Sequence, residues 1–249
     1  MSQAPIGYWK FETPESDQLA NDVLQGITAS SGLEVAFGAP GMGPKNGFNG
    51  FSETNNSAQL LGDGEKSALV DLGGPKGVTR RKGAVSYWIR HLPENQKEET
   101  LWLAGENKSD GSAPEISPIH TTLTDSGRIR LFIENGKFDM EFTSSRNLAD
   151  GKWHHIVASW GPTKVTLFVD GQLAATDEDS RSLQGGTFFG RYVRFGKPRS
   201  DLRLRDVQPF KGWVDELALW NRPLNSVEVK RQFQSAIGLT ISYPTANQE

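Results

Sequence analysis

Three groups of residues have the types and spacing to do chemistry. The first is Asp215, in Trp213-Val214-Asp215-Glu216-Leu217-Ala218-Leu219. In an extended strand it shares a face with Trp213, Leu217 and Leu219. An isolated carboxylate on an apolar face costs several kcal/mol unless it is compensated. A calcium ion would compensate it, because calcium takes roughly six to eight oxygens, many of them backbone carbonyls. Hydrogen bonds from backbone amides, or a basic partner, would do the same. The second group is Asp139-Met140-Glu141, whose two carboxyls project to one face. Glycoside hydrolysis needs such a pair. Arg130 is expected opposite Glu141, however, which makes a cross-strand ion pair the simpler role. The third is His154-His155. Adjacent strand residues point to opposite faces, so the two cannot chelate one ion, and His91 and His120 are far away in sequence. Neither a Ser-His-Asp signature nor a phosphate loop is visible. Of the seven Trp, six lie inside strand patterns and read as core. Trp102 borders the polar Gly105–Pro118 stretch and is the candidate ligand platform.

These residues must be positioned by strands. Short runs of Val, Ile, Phe, Trp and Tyr alternate with Gly, Pro, Asn and Asp clusters, the signature of strands and turns. Asn135-Gly136 suits a two-residue type I′ turn. That turn pairs Ile133 with Phe138, Leu131 with Met140, Ile129 with Phe142 and Arg130 with Glu141. A four-residue link, Gly161-Pro162-Thr163-Lys164, pairs Trp160 with Val165, Ala158 with Leu167 and Ile156 with Val169. Asp170-Gly171 then turns the chain into Gln172. Further strands are expected at Ile6–Glu12, Ser67–Leu72, Ala84–His91, Glu99–Gly105, Phe188–Phe195 and Gly212–Trp220. One helix is expected, over Ser226–Gln234. Asn225 caps it, Glu228 completes a capping box, and Leu224 and Val229 are placed for a hydrophobic staple. The fold class is therefore all-β: a two-sheet antiparallel jelly-roll sandwich with one short C-terminal helix. Residues 1–239 form the domain, and 240–249 read as a tail or linker.

Composition excludes several classes of partner. The net charge of −3 over 249 residues gives no field that favours nucleic acid. No run of about 18 apolar residues offers a membrane span. With no cysteine there is neither a disulfide nor a thiolate metal site. The start, Met1-Ser2-Gln3-Ala4-Pro5, lacks the basic and apolar regions of a secretion signal, so export would require a signal outside this sequence.

Several motifs resemble the laminin-G-like jelly-roll domains of the concanavalin A-like group. They are Tyr8-Trp9-Lys10-Phe11-Glu12, Phe48-Asn49-Gly50, Ala84-Val85-Ser86-Tyr87-Trp88-Ile89, Asp150-Gly151-Lys152-Trp153-His154-His155-Ile156, Val165-Thr166-Leu167-Phe168-Val169-Asp170-Gly171, Gly212-Trp213-Val214-Asp215-Glu216-Leu217 and Asn221-Arg222-Pro223-Leu224. Their order and spacing agree across nearly the whole chain. The resemblance implies a structural calcium ion and places Glu12 and the Asn49-Gly50 turn beside Asp215 as its ligands. Asn49 stands where the family usually has Asp, which lowers the charge of the site. The Glu-x-Asp-x-x-Glu strand of glycosidases of this architecture is absent. The expected function is a non-catalytic binding module, carbohydrate-binding or adhesive, outside the cell, at its surface or in the periplasm. The type resembled looks bacterial, and such domains are commonly part of larger exported proteins. The alternatives are a protein-interaction domain without a sugar ligand and a diverged polysaccharide hydrolase or lyase.

Overall fold

Alternation of apolar and polar side chains pairs the strands into two sheets. The computed structural model describes residues 4–12, 18–20, 28–31, 35–62, 70–71, 82–93, 97–106, 116–133, 140–178, 192–196 and 207–239. In the first sheet the order is Gln172–Asp177, Val165–Val169, Trp153–Trp160, Gly83–Arg90, Gly212–Trp220, Asn56–Leu60 and Val35–Pro40, and Gly7–Trp9 also pairs with Gly212–Trp220. The second sheet runs Met140–Thr143, Ile129–Ile133, Ile116–Leu123, Glu99–Glu106, Tyr192–Phe195, Val70–Asp71, Thr28–Ser31 and Gln18–Ala20. Among the described residues every pairing is antiparallel except the short Gln208–Pro209 bridge to Glu99–Glu106. The all-β sandwich expected from sequence is the fold observed. Among the described residues no helix is long and apolar enough to cross a membrane.

The sheets enclose one main core that includes Val85, Tyr87, Ile89, Trp102, Ile119, Leu131, Trp160 and Phe195. A 2.7 Å hydrogen bond between the Tyr87 and Thr121 hydroxyls crosses it, and burial pushes the Tyr87 phenol above its ordinary range. A second apolar layer lies on the outer face of the first sheet, under the helix Ser226–Ala236. Asn225 Oδ1 accepts from the Val227 and Glu228 amides, each at 3.0 Å, and Glu228 returns a bond from the Asn225 amide. Leu224 and Val229 are buried together, as a staple requires. Phe233 stacks over Trp88 at 5.7 Å, whereas Val227 faces solvent.

One hairpin has the expected register: Trp160 opposes Val165 and Ile156 opposes Val169. The other is displaced by two residues. Ile133 opposes Met140, Leu131 opposes Phe142, and Arg130 opposes Thr143. A slip of two keeps every side chain on its face, because the strand period is two, so the pattern of faces could not reject the shorter connection. Asn135-Gly136 itself lies outside the described residues, as do residues 240–249.

At the end of the second hairpin, buried His154 is held between two carboxylates. Its Nδ1 is 2.9 Å from Asp170 and its Nε2 is 3.0 Å from Asp150. Burial opposes the imidazolium, but the bonds and charges of Asp170 and Asp150 outweigh it and raise the His154 pKa above 6.5. Both aspartates are shifted below 3.8: burial works against their charge, and the bonds to His154 overcome it. The imidazolium contribution is full below pH 6.5 and is lost as pH rises through the raised value. The aspartate contributions are full above pH 3.8 and are lost on acidification. Replacing His154 with Asn should therefore flatten the alkaline side of the stability curve. Urea denaturation of both proteins across pH 5 to 9 measures this; parallel curves would rule out the His154 contribution.

Candidate functional site

The strand Gly212–Trp220 carries the residues on which the site is built. Val214 packs in the main core, and so do Leu217 and Leu219. Residues so spaced cannot share one face of a regular strand. A bulge between Asp215 and Ala218 resolves the conflict, and Glu216 within it adopts φ +52°. That is the left-handed region, which costs an L-residue about 1–2 kcal/mol. Asp215 therefore does not share a face with Leu217 and Leu219, as uninterrupted alternation implied. It points to the outer face, opposite Trp88 in the neighbouring strand, and is covered by the chain at Gly41–Met42 and Asn55.

Asp215 is fully buried. Its Oδ2 accepts from Asn55 Nδ2 at 2.8 Å and its Oδ1 from the Glu216 amide at 2.8 Å, and the Met42 amide bonds it as well. Burial nonetheless holds its pKa well above the usual carboxylate range, the Asn55 and Glu216 bonds working against that shift and the charge of Glu12 adding to it. Glu12 is fixed by the Asn56 amide, which donates to Oε2 at 3.1 Å. Glu12 and Asp215 are thus brought together as expected. Asn49 and Gly50 are not brought to them. The Gly50 amide donates to Ala236 O at 2.9 Å, and a Cβ on Gly50 would overlap the Ser235 carbonyl. Glycine is needed there so that the turn can dock against the helix end. Gly41, Met42, Asn55 and Asn56 occupy the corner instead. Asn55-Asn56 reads as a polar loop in sequence, and nothing local marks it as a partner of Asp215. The oxygens at hand for a cation are those of Glu12, Asp215 and, with its amide turned, Asn55. Among the described residues no three or more His, Asp or Glu form a metal cluster.

The remaining candidates are placed as follows. Trp102 is no platform: it is fully buried and packs in the core with its ring 5.8 Å from Trp160. Leu101 and Trp102 both lie in the core, where a register shift between Thr100 and Trp102 interrupts alternation. Arg130 contacts Glu141 at 3.2 Å and Glu98 at 3.1 Å. The ion pair expected from sequence therefore forms across a diagonal and gains a second carboxylate. His155 lies on the opposite face from His154, stacked 4.8 Å from Trp88 and bonded to Ser86 Oγ at 2.9 Å; burial lowers its pKa to about 4. His91 and Glu99 pair at 3.1 Å in the interior.

A family model described as the concanavalin A-like lectin/glucanases superfamily matches residues 63–230. No curated protein matches the sequence. Among solved structures, the binding domain of Paraclostridial Mosquitocidal Protein 1 matches with a TM-score of 0.64 at 16% identity, over 93% of this chain and 52% of that one. The binding domain of botulinum neurotoxin DC, in complex with rat synaptotagmin II, matches with 0.63 at 14%, over 94% and 52%. A botulinum neurotoxin type C structure, described by cell entry dependent upon two ganglioside molecules, matches with 0.63 at 14%, over 94% and 51%. The chain thus spans about half the length of these structures, and at such identities the likeness is one of fold.

Two substitutions test these placements by urea denaturation. Trp102→Ala should cost about 3–5 kcal/mol as a core truncation; a loss of a few tenths would return Trp102 to the surface. Glu216→Gly should stabilise by about 1 kcal/mol by relieving the left-handed residue; destabilisation would refute the strain.

Proposed function

The chain belongs to the concanavalin A-like lectin/glucanase superfamily, and from that premise we propose that it is a non-catalytic binding module with a carbohydrate or adhesive ligand, working outside the cell as part of a larger exported protein. The observation that carries this reading is Arg130. A hydrolase of this architecture needs two carboxyls, one of which delivers a proton. On the outer face of the second sheet one guanidinium engages both Glu98 and Glu141, an arrangement that serves pairing rather than proton delivery. Sugar binding is supported by fold likeness to the toxin domain associated with gangliosides. The domain complexed with synaptotagmin favours a second reading, a protein ligand.

We further propose that a calcium ion holds the Glu12–Asp215 corner. Two carboxylates lie within electrostatic reach there, and Glu12 Oε2, which accepts from the Asn56 amide, keeps acceptor capacity. The donor set is all oxygen, as calcium prefers. Its role is structural: it would compensate the charge of Asp215 and tie the first strand to the central one.

Added calcium should raise the melting temperature of the wild type and leave Asp215→Asn unchanged. Identical wild-type melts in calcium and in chelator would sink the metal proposal. A glycan array separates the two ligand readings; retention of no glycan would favour the protein ligand. Sugar release from a polysaccharide panel would overturn the non-catalytic reading altogether.

A further inference from the structure

At one end of the sandwich the strands Asn56–Leu60 and Gly83–Arg90 finish and Glu99–Glu106 and Gly212–Trp220 begin. A cavity of about 220 Å³ opens among those strand ends. Leu61 and Leu92, both exposed, and half-buried Trp213 give it apolar walls. His91 and Glu99 line it too, and each is only 3% exposed. Glu99 Oε2 accepts from the Lys211 amide at 3.2 Å and lies 3.1 Å from His91 Nε2. Among the described residues nothing donates to Glu99 Oε1, and no Lys or Arg pairs with the carboxylate. His91 does not supply the missing charge. Its Nδ1 is buried without a partner, so an imidazolium would leave a second N–H unsatisfied. A buried carboxylate held by one amide and a neutral imidazole is short of compensation, and this one borders a cavity.

We propose that this cavity takes a primary ammonium on an unbranched aliphatic stem, the ammonium donating to Glu99 Oε1 and the stem lying against Leu61, Leu92 and Trp213. Three features select that class. The volume is below the roughly 300–1,000 Å³ of sites for drug-sized ligands, which suits a side chain or a small amine and not an oligosaccharide. With one carboxylate oxygen open, a point charge with rotatable donors fits, whereas a guanidinium fork needs both oxygens. Apolar walls around a single charged group match a methylene stem. Two cations stand nearby, and neither pairs with Glu99. The Lys211 side chain is exposed to water, which screens its charge. The Arg90 guanidinium lies 4.9 Å from the Trp213 ring centre, with its Nε donating to Gly151 O at 2.8 Å. The cavity uses no residue of the Glu12–Asp215 corner and stands whichever of the ligand readings above holds. A free alkylamine and a lysine side chain of a protein partner offer the same chemistry.

The test is an NMR titration of the full chain with n-butylammonium chloride, against sodium chloride at equal ionic strength. The Lys211 amide and Trp213 indole N–H resonances should shift saturably, with a Kd of about 1 mM. Glu99→Gln should weaken binding by about tenfold or more. Leu173→Ser, on the exposed edge strand, should leave it unchanged. Should Glu99→Gln fail to fold, the wild type decides with n-butanol, which has the same stem and no charge and should bind about tenfold more weakly or worse. N-acetyl-lysine amide separates the two sources. Affinity equal to that of n-butylammonium upholds the cavity as a receptor for a partner's lysine; exclusion of the lysine derivative alone upholds it for a free amine. No saturable shift with n-butylammonium, unchanged affinity in folded Glu99→Gln, or equal affinity for n-butanol overturns the proposal.

Discussion

The strand Gly212–Trp220 has to pair with three neighbours while it supplies two apolar layers, and one inserted residue makes that possible. Val214, Leu217 and Leu219 fill the main core, and Ala218 and Trp220 fill the layer under the helix. The odd spacing of the inward residues is incompatible with uninterrupted alternation. The bulge at Glu216 absorbs the mismatch and increases local twist. It also frees Asp215 from the core. A carboxylate directed inward would have faced an apolar interior, whereas on the outer face it meets Asn55 and the Met42 and Glu216 amides. The position of the charge follows from that insertion.

What the sequence disclosed and what it withheld divide along physical lines. The 160–165 link was readable because its turn residues and the alternation on both sides agree on one register. The helix was readable because Asn225, Glu228, Leu224 and Val229 are local signals in fixed spacing. The hairpin from Ile129 was ambiguous by two residues, since alternation rejects odd slips only. The face of Asp215 was misread because a bulge is invisible to a period-two pattern. Glycine commonly marks such a position, but here the inserted residue is a glutamate. Glu216 itself was passed over because an outward glutamate reads as solvated surface. The placement of Asn49-Gly50 against the helix end depends on the path of the 41–55 loop, which has no local code. Trp102 was proposed from its neighbours in sequence, but it lies in the core beside Leu101, where an irregularity interrupts strand parity.

The helix makes the first sheet buried on both faces, unlike an antiparallel sheet with one wet side. That explains why strands such as Trp153–Trp160 and Val165–Val169 are buried throughout. It also explains how polar residues come to be interior. His155, Ser86 and Trp88 would lie on an open sheet surface without Phe233 and Phe48 above them. His155 packs beside Trp88 and Phe233, burial holds its imidazole neutral, and its Nε2 is satisfied by Ser86. The layer is therefore anchored by aromatic stacking and by buried hydrogen bonds of Ser86 with His155 and of Ser159 with the Leu224 backbone.

The bulge also sets the proposed metal corner beside a left-handed residue. Asp215 and Glu216 are consecutive residues of one bulge, and the Glu216 amide already bonds Asp215 Oδ1 at 2.8 Å. A cation between Glu12 and Asp215 would favour the ionised Asp215 and so strengthen that bond. It would also hold the backbone of Glu216, the left-handed residue of the bulge.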